Sequence, residues 1–542
     1  MTSPLSRRGF LAVTGGLLAA AGVGAALPGS AAAALPAPPS GFSMSTPTTV
    51  AAARSAGYAV VTDFGAVGDG GSRPLSTRYA TLADAQRVYP SARSLSDELD
   101  GAAIQNATDS GRAGVFYPAG TYLHSRPIVV RDHQRHLGAG AAGSTPTAVL
   151  RNTRGRTTDY DFVQAHSFQI GDIHPVAMAT GRAGVSWATR TLAPITAGAR
   201  SVRLTQPMGS VPLKVGDIVM VRCDNDPMVN GDAAVYDAQQ WNRVTSYKPA
   251  TGVVGLELAV PWTIVASSGD PTALDGPTLC VNDGADYFIR CPWSICQDIE
   301  VGRLRVESAG FTARNGVWRG WFHDLVVVGE NMLGFNALVL STIERVSGRF
   351  SSRMIELKQS GHSSVVREVS ASWAPPTSGT AGVDADAVDI GEQCFDMTLS
   401  GIQVTIGTAD TSDRRALNIS CGEVSFSGAL THTGSGAQQC VWAVVDSQAP
   451  ANPPTEVSLA LVVRTRPGLW AYGVLGWPDP RVSDPAGITL NLDQASSGTP
   501  AGAAFHVATA RDVTVTRIVG DRTTATWSPP GEAPTGCAAT RV

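Results

Sequence analysis

Lysine is nearly absent from this chain: of 41 basic residues only Lys214, Lys248 and Lys358 are lysines, a bias toward arginine. Charge of either sign is scarce. Acids and bases make up 16% of the 542 residues, against roughly 25% in an average soluble chain. Helical periodicity is almost missing too, so the composition suits neither a helical bundle nor a coiled coil. The formal charge of −4 offers no general attraction for nucleic acid or an anionic membrane, and neither is expected as a partner. After the first thirty-odd residues no apolar run is long enough to span a bilayer. Low charge does not mean disorder here, because hydrophobic residues reach 43% and can fill a core.

Turn-forming residues are plentiful instead, with 58 glycines and 34 prolines. The length exceeds the about 100–200 residues of a single domain. It therefore implies several domains or an elongated repeat that lengthens without thickening.

The N-terminus reads as an export signal. Ser6-Arg7-Arg8-Gly9-Phe10-Leu11 has the twin-arginine layout, an apolar run diluted by Gly and Ala continues to about Leu27, and the small residues Ser30 to Ala34 supply a cleavage site. The twin-arginine export machinery is thus an expected partner, and the protein is expected outside the cell. Loss of residues 1–34 removes Arg7 and Arg8 and no acid, taking the formal charge from −4 to −6. Eight cysteines remain, and an even number in an exported protein permits disulfides in about a hundred connectivities. Cys291 and Cys296 form the nearest local pair. Zinc would need tighter C-x-x-C pairs or adjacent histidines, so no metal or cofactor is expected.

From about Trp293 to Gly520 short β-branched segments recur every 20–33 residues: Leu325–Val328, Val365–Val369, Met397–Val404, Glu423–Phe426, Val457–Val463 and Val513–Thr516 among them. Period-two alternation marks strands with one buried face. Recurrence at this period favours a stacked solenoid over a sandwich. Cys394 and Cys421 each precede a strand position, Met397 and Val424, by three residues, as stacked equivalents would.

Nearer the start, Asp63-Phe64-Gly65-Ala66-Val67-Gly68-Asp69-Gly70 is followed by Ala102-Ala103-Ile104-Gln105-Asn106-Ala107 and then Val115-Phe116-Tyr117-Pro118-Ala119-Gly120-Thr121-Tyr122. This resembles the opening of the pectate-lyase-like superfamily, which includes family 28 glycoside hydrolases and phage tail-spike depolymerases. An extra segment, Gly71 to Ser96, separates the halves of the motif. The resemblance implies a right-handed parallel β-helix, all-β, with a short N-terminal capping helix. The glycine spacing does not match a phosphate-binding G-x-G-x-x-G loop. The organisation expected is a signal at 1–34, a linker at 35–57, cap and first turns at 58–160, a small β insertion at 161–292, the main helix at 293–525 and a tail at 526–542. An acidic loop, Cys223 to Asp232, lacks the calcium-loop pattern.

In β-helix enzymes that cut polysaccharides, carboxylates line the outer face of one sheet. Asp384-Ala385-Asp386-Ala387-Val388-Asp389-Ile390-Gly391 resembles the D-D-A-I-x-I-G element of family 28-like proteins, with Ala385 in place of its first acid. Val388 and Ile390 should point inward and Asp389 outward. One turn earlier Glu356 and Lys358 share a face opposite Ile355 and Leu357, and Gly361-His362 follows. Two carboxyl groups can divide the roles of acid and base in glycoside hydrolysis. Asp384, Asp386, Asp389, Glu356, Lys358 and His362 are therefore the catalytic candidates, with Trp318, Trp321, Trp373 and Arg353 as substrate contacts. Glu344, Glu330, His323 and Asp324 are weaker candidates on earlier turns. The expected substrate is a polysaccharide or oligosaccharide. The alternatives are a polysaccharide lyase, using Lys358, Arg353 or His362 as the base, and a non-catalytic glycan-binding surface protein.

Overall fold

The computed structural model describes residues 42, 46–154, 166–171, 188–206, 213–223, 239–266, 276–281, 295–308, 310–313, 316–358, 361–375, 386–391, 394–407, 414–432, 441–444 and 457–465, and six strands between 472 and 541. Its main body is a parallel β-helix with a short capping helix and a small β insertion, the architecture expected. Glu300, Trp321, Thr342, Val365, Thr398, Ser425, Ser458, Thr489, Thr514 and Ala538 pair in one unbroken parallel register. Each turn between them takes from 21 residues (Trp321 to Thr342) to 33 (Val365 to Thr398). Met397 pairs with Val424, as their cysteine spacing implied.

The long strands Trp321–Asn336 and Thr342–Lys358 each run through three faces of the coil, called here the first, second and third sheets. Glycine is abundant in the chain. Between the first and second sheets the corners are instead Arg303, Asp324, Arg345 and Glu368, all with φ between 52° and 57°, and only then Gly401. A second corner column runs through Asp298, Arg319, Leu340, Ser363, Asp396 and Glu423. One left-handed residue between extended neighbours turns the strand without breaking its ladder. Inward residues such as Val301, Phe322, Ile343, Val366, Leu399 and Phe426 form a continuous apolar core.

Leu99–Thr108 is the capping helix, with Ala102, Ala103, Ile104 and Ala107 buried as expected. Asp100 ties it to the glycine turn: its carboxylate accepts from Val67 N at 2.6 Å and Gly68 N at 3.3 Å. Gly68, at φ 71°, lies under the Tyr122 ring, where a Cβ would sit 2.6 Å from a ring carbon. The extra segment adds a second helix, Leu82–Val88. Within the stretch expected as linker, Val50–Ser55 is a helix capped by Thr49. At the other end, Ala525–Ser528 and Ala538–Arg541 pair onto the coil, so these parts of the expected tail continue the solenoid.

The insertion holds six antiparallel strands in the order Ala188–Thr191, Thr278–Val281, Ile218–Arg222, Gln239–Lys248, Val253–Leu256, Ser201–Arg203. An antiparallel bridge from Leu192 to Leu204 joins the two edges, closing a small barrel around its own apolar core. Met220 and Trp241 of the barrel pack on Ile295, Trp318, Ala337 and Val339 of the coil. The acidic stretch 224–232 lies outside the described residues.

Candidate active site on the third sheet

Four turns of the third sheet repeat one pattern: Asn331-Met332-Leu333-Gly334-Phe335, Arg353-Met354-Ile355-Glu356-Leu357, Asp386-Ala387-Val388-Asp389-Ile390 and Arg415-Ala416-Leu417-Asn418-Ile419. The apolar positions enter the core, which forces the intervening polar ones outward. Gly334, Glu356, Asp389 and Asn418 stand in direct register on successive strands. Asn331 is in register with Arg353, while Ala387 N, one residue after Asp386, donates to Arg415 O at 2.8 Å. The result is two parallel polar columns with strands about 4.8 Å apart.

Glu356 and Asp389 on adjacent strands would repel each other if left alone. Two cations bridge them. Arg353 Nη1 contacts Glu356 Oε1 and lies 3.7 Å from Asp389 Oδ2. Lys358 Nζ lies 3.6 Å from Glu356 Oε1 and 3.5 Å from Asp389 Oδ2. Asn418 Nδ2 donates to Asp389 Oδ1 at 3.0 Å, and Asn331 Nδ2 to Glu356 Oε2 at 3.4 Å. Arg415 holds Asp386 through two bonds of 2.6 Å.

These surroundings drive the two aspartates apart. Burial is the largest influence on Asp389 and disfavours its charge, but Lys358, Arg353 and the Asn418 amide outweigh it and hold the carboxyl at about 2. For Asp386 burial again dominates, and with the nearby Asp389 charge it raises the carboxyl above its ordinary value despite Arg415. Asp389 is thus kept ionised, while Asp386, pushed up by burial, has both oxygens engaged by Arg415; the two carboxyl groups are differently held, as divided acid and base roles require. Both are less open than an outward position implies, with 7% of Asp386 and 6% of Asp389 exposed. The long side chains of Arg353, Lys358 and Arg415 stand over them, each about a quarter exposed or slightly less.

Glu356, Lys358, Arg353, Asp386 and Asp389 thus come together. Asp384 lies outside the described residues. Trp373 is half-buried and packs on the apolar core, donating from Nε1 to Ser351 O at 3.0 Å. Three candidates fall elsewhere and are corrected here. His362 is fully buried beneath the barrel, with Nε2 2.9 Å from Trp241 O and its ring stacked on Phe395. Burial there pushes its imidazole down to about 4. Trp318 is sealed between barrel and coil, so no sugar can stack on it. Trp321 lies on the first sheet, stacked on His323 at 3.9 Å under Phe42, and its Nε1 donates to Glu344.

Around Trp321 a second charged group is buried. His323 bridges Glu300 at 3.2 Å and Asp324 at 2.8 Å, Arg345 pairs with Asp324 and Glu344, and Arg367 with Glu344. Residues of the N-terminal stretch cover it: Arg303 Nη2 donates to Pro47 O at 2.7 Å and Arg135 lies over the Phe42 ring. Glu344, His323 and Asp324 therefore serve the packing of this strap.

Arg415, Asn418 and Asn331 were missed in the sequence. The available signal was the repeated five-residue pattern itself, which places them in the same columns as the acids. Among the described residues no group of three or more His, Cys, Asp or Glu could hold a metal ion. Cys291 lies outside the described residues, while Cys296 Sγ donates to Val130 O at 3.7 Å. No described helix is long and apolar enough to cross a membrane.

No protein-family model matches the chain, and no curated protein matches it by sequence. Among solved structures it is similar to the tailspike protein gp49 from Pseudomonas phage LKA1, at 15% identity and TM-score 0.43, over 88% of this chain and 81% of that one. It is also similar to the A-module of the Azotobacter vinelandii mannuronan C-5 epimerase AlgE6, at 13% identity and TM-score 0.32, over 89% and 99%. A third is PfbA, a surface adhesin of Streptococcus pneumoniae, at 11% identity and TM-score 0.35, over 89% and 90%. These likenesses concern the coil and assign it no chemistry.

Proposed function

We propose that this protein is an exported carbohydrate-active enzyme of the pectate-lyase-like superfamily that hydrolyses glycosidic bonds at the third-sheet columns. The reading is carried by the grouping of Asp386, Asp389 and Glu356 on adjoining strands of one outward face. Asp386, once released from its two bonds to Arg415, donates to the leaving glycosidic oxygen. Asp389, held ionised, activates the attacking water or stabilises positive charge at the anomeric carbon. Glu356 shares the cations with Asp389 and so sets how much negative charge the site carries.

The test is release of reducing ends from a polysaccharide panel by the mature protein. Asp389→Asn and Asp386→Asn should each lower kcat about 10²–10⁴-fold, the usual worth of a positioned acid or base. Equal behaviour of wild type and both variants on every glycan would refute catalysis here and leave a binding protein on the same scaffold. A lyase reading is favoured by one observation, the place of Lys358 Nζ 3.5 Å from Asp389: as the neutral amine it takes the proton α to a uronate carboxyl, becoming the ammonium while the glycosidic oxygen leaves from the β-carbon. Products absorbing in the ultraviolet as unsaturated uronates would decide for it.

A further inference from the structure

Within the hydrolase reading just given, we infer that Asn331 and Asn418 are substrate-recognition residues and that the site takes an uncharged, hydroxyl-rich oligosaccharide in preference to a uronate. Each carboxamide lies against a carboxylate that Arg353 and Lys358 also approach, and a carboxylate so paired accepts hydrogen bonds. The amide nitrogen must therefore face the acid, Asn418 toward Asp389 and Asn331 toward Glu356. That orientation leaves both Oδ1 atoms over. Each is buried without a hydrogen-bond partner among the described residues, and Asn418 as a whole is only 3% exposed. Buried acceptors left in this state are exceptional in folded proteins and call for a donor. A sugar hydroxyl is such a donor. A uronate carboxylate is not.

Charge points the same way. Arg353, Lys358 and Arg415 each face a carboxylate of the group, and Glu356, Asp386 and Asp389 match them in number. Among the described residues that meet these carboxylates the charges are equal in number, so a uronate would add a fourth negative group to a poorly hydrated cluster. The two amides bracket the acids, Asn331 one turn before Glu356 and Asn418 one turn after Asp389. Three strand steps separate the outermost turns, about 14 Å, a span that suits several linked rings lying along the coil axis.

The experiment uses the mature full chain on an array of neutral oligosaccharides (gluco-, xylo-, manno- and galacto-oligomers) and uronate oligomers (oligogalacturonate and alginate). The best neutral ligand is then titrated into Asn418→Ala and Asn331→Ala. Retention of a neutral oligomer, weakened about 5–10-fold by each substitution, is expected, since a lost hydrogen bond to a neutral group is worth about one such factor. A purely structural amide would lower the melting temperature and leave affinity alone, and one that only props up its carboxylate would shift the pH–rate profile without changing KM. Either result overturns the inference, as does preferential retention of uronates. Asn331, the more exposed of the two, keeps the test alive if Asn418→Ala does not fold. Neutral binding that depends on the asparagines without any turnover sustains the inference and sinks the hydrolase reading. Turnover that depends on Asp389 with unchanged binding in the asparagine variants does the reverse. Absence of binding to every glycan removes both.

Discussion

A left-handed backbone costs an ordinary L-residue roughly 1–2 kcal/mol, yet the corner columns place Arg303, Asp324, Arg345 and Glu368 there. Stacking offsets part of that cost, because the corner side chains neutralise one another between turns: Arg345 Nε lies 2.7 Å from Asp324, and Arg319 Nε 2.8 Å from Asp298. The neighbouring Glu344 is more exacting. It is fully buried and receives Arg345, Arg367 and the Trp321 indole. Glu344→Ala would deprive Arg367 of its carboxylate and leave Arg345 with Asp324 alone. A loss of about 3–5 kcal/mol is expected, the usual result of removing one partner of a buried ion pair, and chemical denaturation of the variant measures it. Glu344→Gln, which keeps the acceptor oxygen, should lose less.

At the scale of the element, strand identity follows from alternation, and the third sheet shows how far alternation reaches. Ile355, Leu357, Val388 and Ile390 announce the buried face, so Glu356 and Asp389 were legible in the sequence as outward neighbours. Arg415 and Asn418 were not, because a basic or amide side chain on an exposed strand looks the same whether it is solvated or holds an acid. The corners were equally silent, since a left-handed Arg or Asp carries no compositional mark. Nor could hydropathy separate Trp318, His362 and Trp321 from surface residues: what buries them is the barrel and the N-terminal stretch, both distant in sequence. Close strand approach adds a sharper constraint. At Gly348 a Cβ would lie 1.8 Å from Val327 O on the previous turn. Gly348→Ala should therefore destabilise the coil by about 1–3 kcal/mol through forced backbone displacement. A melting temperature equal to that of wild type would contradict the parallel register of these two turns.

For the molecule as a whole, buried histidines set the response to acid. Burial holds His124 and His362 at about 4 and His136 at about 3, against an ordinary value of 6.5. Below 6.5 the unfolded chain takes up protons that the folded one refuses, so stability falls as pH drops from 6.5 through about 4 and on to 3. Asp389, depressed from 3.8 to about 2, adds a loss in the lower window between those values. His323 works in the opposite sense. Burial, its largest influence, is outweighed by Asp324 and Glu300, the net shift is upward, and its contribution disappears as pH rises past 6.5 through the folded value. Melting temperature should accordingly peak near neutrality and fall toward pH 4, with the acid limb shallower in His362→Gln. A profile flat between pH 7 and 4 would mean that these imidazoles are hydrated.

The barrel also governs the order in which the coil can assemble. Phe168 pairs directly with Phe311, and Leu150 with Val306, so adjacent turns are separated by about 150 residues of chain. Closing so long a loop is entropically unfavourable and slow until something shortens it. The barrel does that when its own edges meet at Leu192 and Leu204. The capped N-terminal turns and the long C-terminal stack are then two half-solenoids waiting on a local folding event.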